Sequence, residues 1–223
     1  MSGREAILGR IRASLSAGND EARRKAVADR LGEAPQGVIP ARGQISGSAR
    51  TDLFCALAEK VQASVARVAG EADVPAAIAD YLRSQNRAGE FRVGGDRRLA
   101  ALPWDAAPSL TPKEGVSDGN DEVAIAYAAA GVAETGTLVL ESGPDNPTSN
   151  NFLPDTHIVV IDARDIEGDY ENVWARMRAK FGKGALPRTV NFVTGPSRSA
   201  DIQQTLLLGA HGPRSLHIVV VES

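Results

Sequence analysis

Hydrophobic positions along this chain follow more than one rhythm, and the changes between them divide it. Ile7, Leu8, Ile11 and Leu15 recur at helical spacing, with Arg4, Arg10 and Arg12 on other faces. Gly18-Asn19-Asp20 breaks that pattern and Glu21–Leu31 resumes it, so residues 3–31 predict an amphipathic helical hairpin. Residues 32–50 carry Gly32, Pro35, Gly37, Pro40, Gly43 and Gly47, the composition of a linker or long surface loop. From residue 51 onward short apolar runs alternate with helical ones. Helices are expected over Asp52–Ser64, Val74–Gln85, Asp165–Phe181 and Ser199–Leu208, with Asp73 as an N-cap and Pro75 in the first turn of the second. Strands are expected over Val65–Val68, Glu90–Val93, Val123–Ala126, Val132–Glu141, Thr156–Asp162, Thr189–Val193 and Leu216–Val221. Tyr127–Gly131 reads as a turn and Ser142–Pro154 as a loop. Residues 96–120 are rich in Pro and Gly and predict few elements.

Ile158-Val159-Val160-Ile161 is apolar at every position, which marks a strand covered on both faces. Such strands alternating with helices predict an α/β fold with a mostly parallel sheet covered on both sides by helices. The chain thus divides into a helical arm (residues 1–31), a linker (32–50) and an α/β domain (51–223).

Composition narrows the function classes. The 223 residues are 43% apolar but only 4% aromatic, so Ala, Val, Leu and Ile must build the core. The net charge of −3 and the absence of a basic stripe argue against nucleic-acid binding. Arg23-Arg24-Lys25 and Arg97-Arg98 read as solvated surface. A single cysteine, Cys55, lies in an apolar helical stretch and reads as a small buried hydrophobe. It excludes an internal disulfide and a cluster held by this chain's thiolates alone. The three histidines are scattered without metal-ligand spacing. No apolar run approaches the roughly 20 residues of a membrane span, and a soluble cytoplasmic protein is expected.

Three glycine-containing motifs fall where predicted strands meet loops. In Glu134-Thr135-Gly136-Thr137 a carboxylate and two hydroxyls bracket a glycine inside a strand signal, a mark of a bulge or close backbone approach. Gly195-Pro196-Ser197-Arg198-Ser199-Ala200-Asp201 joins a strand to the expected helix. Its N–H groups, with Arg198, would suit a carboxylate or phosphate. Gly209-Ala210-His211-Gly212-Pro213 leaves an imidazole in a turn. The residues singled out for ligand binding are Thr135, Gly136, Thr137, Gly195, Ser197, Arg198, Asp201 and Gly212, with Glu134 and His211 as proton acceptors. The loop Pro144–Pro154, with its asparagines, is a candidate pocket wall or else a solvated connector. His157 and His217 read as structural. No dinucleotide-binding glycine fingerprint and no phosphate-binding lysine loop occurs.

Taken in order, Ala133–Leu138, Leu153-Pro154 through His157, Gly195–Ile202 and Gly209–Pro213 resemble the LUD domain family, in its small lactate utilization protein C form. The resemblance is strong over residues ~120–223 and fainter over ~50–120. It implies a fold similar to the NagB/RpiA/CoA transferase-like group. It also implies a cytosolic role in oxidising L-lactate to pyruvate as an accessory or substrate-binding component, beside iron–sulfur partner proteins. The chain itself would carry no cofactor. Two other readings stand beside it. One is a stand-alone CoA-transferase or sugar-phosphate isomerase-like enzyme using Glu134; the other is a binding module docking through its helical arm.

Overall fold

The computed structural model describes residues 3–14, 21–33, 36–200 and 206–222. The chain falls into two compact units, Met1–Val38 and Ile39–Ser223. In the first, Gly3–Ser14 forms helix α1 and Glu21–Glu33 forms α2. Each opens with a glutamate in its first turn and closes with an arginine in its last, as the helix dipole favours. The Gly18-Asn19-Asp20 break lies outside the described residues.

The second unit is built on a six-stranded sheet. Its strands are β1 (Ser64–Val68), β2 (Glu90–Val93), β3 (Thr111–Glu114), β4 (Val123–Tyr127), β7 (Thr156–Asp162) and β12 (Ser215–Val221). They lie in the order β1-β12-β7-β4-β2-β3, and every neighbouring pair is parallel. The central strands β4 and β7 are buried at every residue, as all-apolar runs in a covered parallel sheet must be. Alternation sorts their side chains. Ile158, Val160, Val219 and Ile125 face one cluster, and Val159, Ile161, Ile218 and Val220 face the other.

Helices cover the first face. Val74, Ile78 and Leu82 of α4 (Val74–Ser84) and Leu99 of α5 (Arg97–Ala101) pack there. Asp73 takes the N-cap position of α4 but makes no side-chain cap bond; Asp96 does cap α5, accepting from the Arg98 N–H at 2.9 Å.

The second face is covered by helix α3 (Ser48–Lys60) together with a second sheet, where helices alone were expected. This sheet comprises β5 (Ala130–Val132), β6 (Thr137–Glu141), β8 (Ile166–Glu167) and β9 (Val190–Val193), in the order β8-β5-β6-β9. The run expected as one strand over Val132–Glu141 is thus a hairpin of β5 and β6 turning through 133–136. Helix α7 (Tyr170–Phe181) seals its outer face with Val173 and Met177. That helix starts five residues later than its apolar spacing implies. Ile166 is drawn into β8, and the buried Asp169 carboxylate caps the helix by accepting from the Asn172 N–H at 2.9 Å. Within the predicted loop 142–154 a short helix, α6 (Thr148–Phe152), forms.

One expected element is overturned. Ser199–Leu208 is not a helix: β10 (Arg198–Ala200) pairs antiparallel with β11 (Leu206–Leu208). The alternative is stabilised by cross-links that a helix would break, since the Ser197 carbonyl accepts from the Gly209 N–H at 3.1 Å. The anion site assigned to that helix's N-terminus therefore does not exist as drawn. Among the described residues no helix is long and apolar enough to cross a membrane.

The β5–β6 turn sits on α3. Gly136 has φ of +66°, and a Cβ there would lie 2.3 Å from the Ala58 nitrogen. Gly136→Ala combines left-handed strain with a backbone clash, so it should cost about 3 kcal/mol or more in urea unfolding. A loss under about 1 kcal/mol would show that the turn does not bear on the helix.

Candidate functional site

The Gly195 and Gly209 motifs meet at the amino ends of β7 and β12. Ser197 is fastened there from three directions. Its N–H donates to the Pro213 carbonyl at 2.8 Å, its carbonyl accepts from Gly209, and its Oγ accepts from the His211 N–H at 3.3 Å. Gly195 has φ of +74° and lies against the Val61 carbonyl at the end of α3. The Arg198 guanidinium donates to that same carbonyl at 2.8 Å, a cation on the negative end of a helix.

These loops line a cavity of about 250 Å³. Gly195, Ser197, Arg198, His211 and Gly212 line it, so five of the residues singled out by sequence share one wall. Thr194, Phe152, Asn151 and His157 complete much of the rest. Two of those are unusual. Asn151 is 1% exposed, and both atoms of its amide lack a hydrogen-bond partner among the described residues. His157 is equally buried and its Nε2 is also without one. The contrast with Asn150 is direct. That neighbour is fully engaged, accepting from the Ser117 N–H at 2.7 Å and donating to the Gly115 carbonyl at 2.9 Å. Buried polar groups are normally paired, so unsatisfied ones bordering a cavity point to a bound molecule.

The Glu134 motif lies elsewhere. Glu134, Thr135, Gly136 and Thr137 do not line the cavity. The Glu134 carboxylate is 4% exposed; its Oε2 has no hydrogen-bond partner among the described residues and stands 4.0 Å from Arg42 Nε. The two threonines bond to each other (2.7 Å) and to the Tyr170 hydroxyl (3.0 and 3.1 Å). Thr137 then reaches Thr194 Oγ1 at 2.7 Å, joining the second sheet to the cavity rim. These hydroxyls satisfy one another and tie β5–β6, α7 and the loop after β9 together. Asp201 lies outside the described residues. Asn151 was foreshadowed by its loop. His157, expected as structural, lines the cavity as the second residue of β7; its place beside an apolar run was the available signal.

No group of three or more His, Cys, Asp or Glu side chains fit to hold a metal occurs among the described residues. Cys55 is buried and burial pushes its thiol up to about 11, so it stays protonated and unreactive.

With this geometry in view, comparison with known proteins is decisive for one part of the chain. Residues 119–221 match the LUD domain. The chain is 34% identical over 120 residues to lactate utilization protein C of Bacillus licheniformis, and 36% identical over 119 residues to the protein of that name from a Geobacillus species. Each match covers 53% of this chain and 49% or 48% of the relative. An uncharacterized protein of Neisseria meningitidis is 36% identical over 102 residues, 46% of this chain and 43% of its own length. The matched segment thus spans about half the length of these curated relatives. The fold has a solved counterpart: the crystal structure of a DUF162 family protein from Deinococcus radiodurans superposes with a TM-score of 0.57 at 24% identity, covering 79% of this chain and 99% of that one. The LUD segment holds β4 to β12, and so every residue of the cavity wall.

Burial also makes the histidines sensitive to acid. It pushes His157 down to about 3 and His217, stacked on Tyr81 at 3.8 Å, down to about 4. The unfolded chain takes up these protons near pH 6.5, and the folded chain resists until about 3 or 4. Their stability contribution is therefore complete above pH 6.5 and is lost as pH falls below it. Between pH 6 and 5 each should approach about 1.4 kcal/mol per pH unit. His157→Gln should shed its share of that slope in urea titrations at stepped pH; an unchanged slope would mean the imidazole is not held neutral.

Proposed function

We propose that this chain serves lactate utilization as a binding component whose cavity holds a small carboxylate such as L-lactate or pyruvate. The observation that carries it is a pair of buried side chains lining the same cavity as Arg198: the Asn151 amide and the His157 Nε2 have no hydrogen-bond partner among the described residues. A volume of about 250 Å³ falls below that of drug-sized sites and suits a molecule of few heavy atoms. Arg198 uses one of its N–H groups on Val61 and keeps others for a carboxylate. The Asn151 amide offers donors and an acceptor to a 2-hydroxy or 2-oxo group. Neutral His157 supplies one ring nitrogen, and His211 stands at the rim as a proton acceptor. The names of the LUD relatives support the lactate context. In this reading the protein works in the cytoplasm and passes its substrate to iron–sulfur partners, which carry the electrons.

The alternative, a CoA-transferase or isomerase acting through Glu134, fits less well. A nucleophile must reach its substrate, and this carboxylate is buried away from the cavity.

Calorimetric titration and thermal melts with L-lactate and pyruvate test the proposal. At 100 times its dissociation constant the ligand should add about 2.7 kcal/mol of stability. Asn151→Leu, which keeps the volume and removes the amide, should weaken binding tenfold or more. Arg198→Lys should weaken it less than Arg198→Ala. Binding of neither acid to the intact chain would overturn the reading.

A further inference from the structure

The molecule holds a larger cleft that the LUD motifs do not touch. It measures about 780 Å³ and opens at the other end of the parallel sheet, beyond the carboxyl ends of β2 and β4. Its place follows from the topology. After β2 the chain passes to α5 on the first face; after β4 it passes to the β5–β6 hairpin on the second. Neighbouring strands whose connections leave in opposite directions open a crevice between them, the place where open parallel sheets bind their ligands.

The lining tells what chemistry would fit. Its cations are already paired: Arg98 with Asp96 at 2.8 Å, Arg176 with Asp165 at 2.6 Å, Lys180 with Glu141 at 2.5 Å. Asp145 adds a further carboxylate. An anion would have to pull these cations from their partners and face the excess of acids. A cation would have to compete with three built-in ones. A neutral, hydroxyl-rich molecule breaks no pair. Its hydroxyls accept from the spare N–H groups and donate to the spare carboxylate lone pairs. Beneath lie Val139, Val173 and Met177, an apolar floor for the face of a ring. Tyr127 on the cleft wall is 3% exposed, sits under the Arg98 guanidinium at 3.8 Å, and turns its hydroxyl toward the buried Asp162 carboxylate. Burial, aided by the Asp162 carboxylate, raises that phenol above its ordinary range and keeps it a donor.

We infer that this cleft is a second small-molecule site, for an uncharged ligand bearing a sugar ring. The inference is independent of the carboxylate site, since the two share no residue.

Calorimetric titration of the full chain with adenosine and trehalose, each beside a phosphorylated counterpart (adenosine monophosphate and trehalose 6-phosphate), tests it. Saturable binding of a neutral compound, tighter than that of its phosphate, is expected; whichever responds separates a nucleoside from a plain sugar. Ala179→Trp, at an exposed α7 position on the cleft, should abolish binding. Lack of binding by both neutral compounds, tighter binding of the phosphates, or binding untouched by Ala179→Trp would overturn the inference.

Discussion

The carboxyl end of α3 is the fixed point around which the LUD segment is arranged. Two backbone turns press against it, each through a glycine in a left-handed conformation: Gly136 on Ala58 and Gly195 on Val61. No side chain fits between, so the distance from helix to turn is set by backbone contact rather than by adaptable packing. Arg198 then satisfies the Val61 carbonyl that the helix leaves open. Phe54 and Ala58 anchor the same helix in the middle core, both fully buried. The second sheet and the cavity loop thus share one reference surface. The 2.7 Å bond between Thr137 and Thr194 exists because both ends are held to it. Motifs more than fifty residues apart converge because they are seated on one helix.

That arrangement explains what the sequence disclosed and what it hid. The central strands were legible because burial on both faces leaves an unbroken apolar run, as in Ile158–Ile161, and α4 because Val74, Ile78 and Leu82 mark a single face. The hairpin of β5 and β6 was hidden. Its turn residues look like strand interior, and only Gly136 betrays the reversal. The β10–β11 hairpin was misread because Leu206–Leu208 satisfies a helical stripe as well as a strand. What decided between them was a set of hydrogen bonds from Ser197 to a loop a dozen residues on, which local spacing does not encode.

The candidate site was half visible for a related reason. Polar residues in glycine-flanked turns stand out, and five of those lining the cavity did so. Thr135 and Thr137 stand out equally, yet their hydroxyls are spent on each other, Tyr170 and Thr194. Sequence marks a residue as polar and constrained. Whether its polarity is used within the protein or offered to a ligand depends on neighbours supplied by other elements. Asn150 and Asn151 make the point in adjacent positions: among the described residues one is bonded on both sides and the other on neither.

The two cavities occupy opposite ends of the same sheet and differ in what they ask of a ligand. β4 and β7 pair over five positions, which separates their ends by roughly 17 Å. Between lies close-packed aliphatic core, which keeps the two cavities physically separate. At the amino end, Asn151 and His157 hold polar atoms without partners among the described residues, beside one cation that already holds a carbonyl. At the carboxyl end the ion pairs are complete, and a ligand gains only by adding bonds without removing any. Size follows the same division: a loop-lined space of about 250 Å³ against a cleft of about 780 Å³. On the two proposals made above, selectivity at the first rests on charge and at the second on shape and hydroxyl geometry.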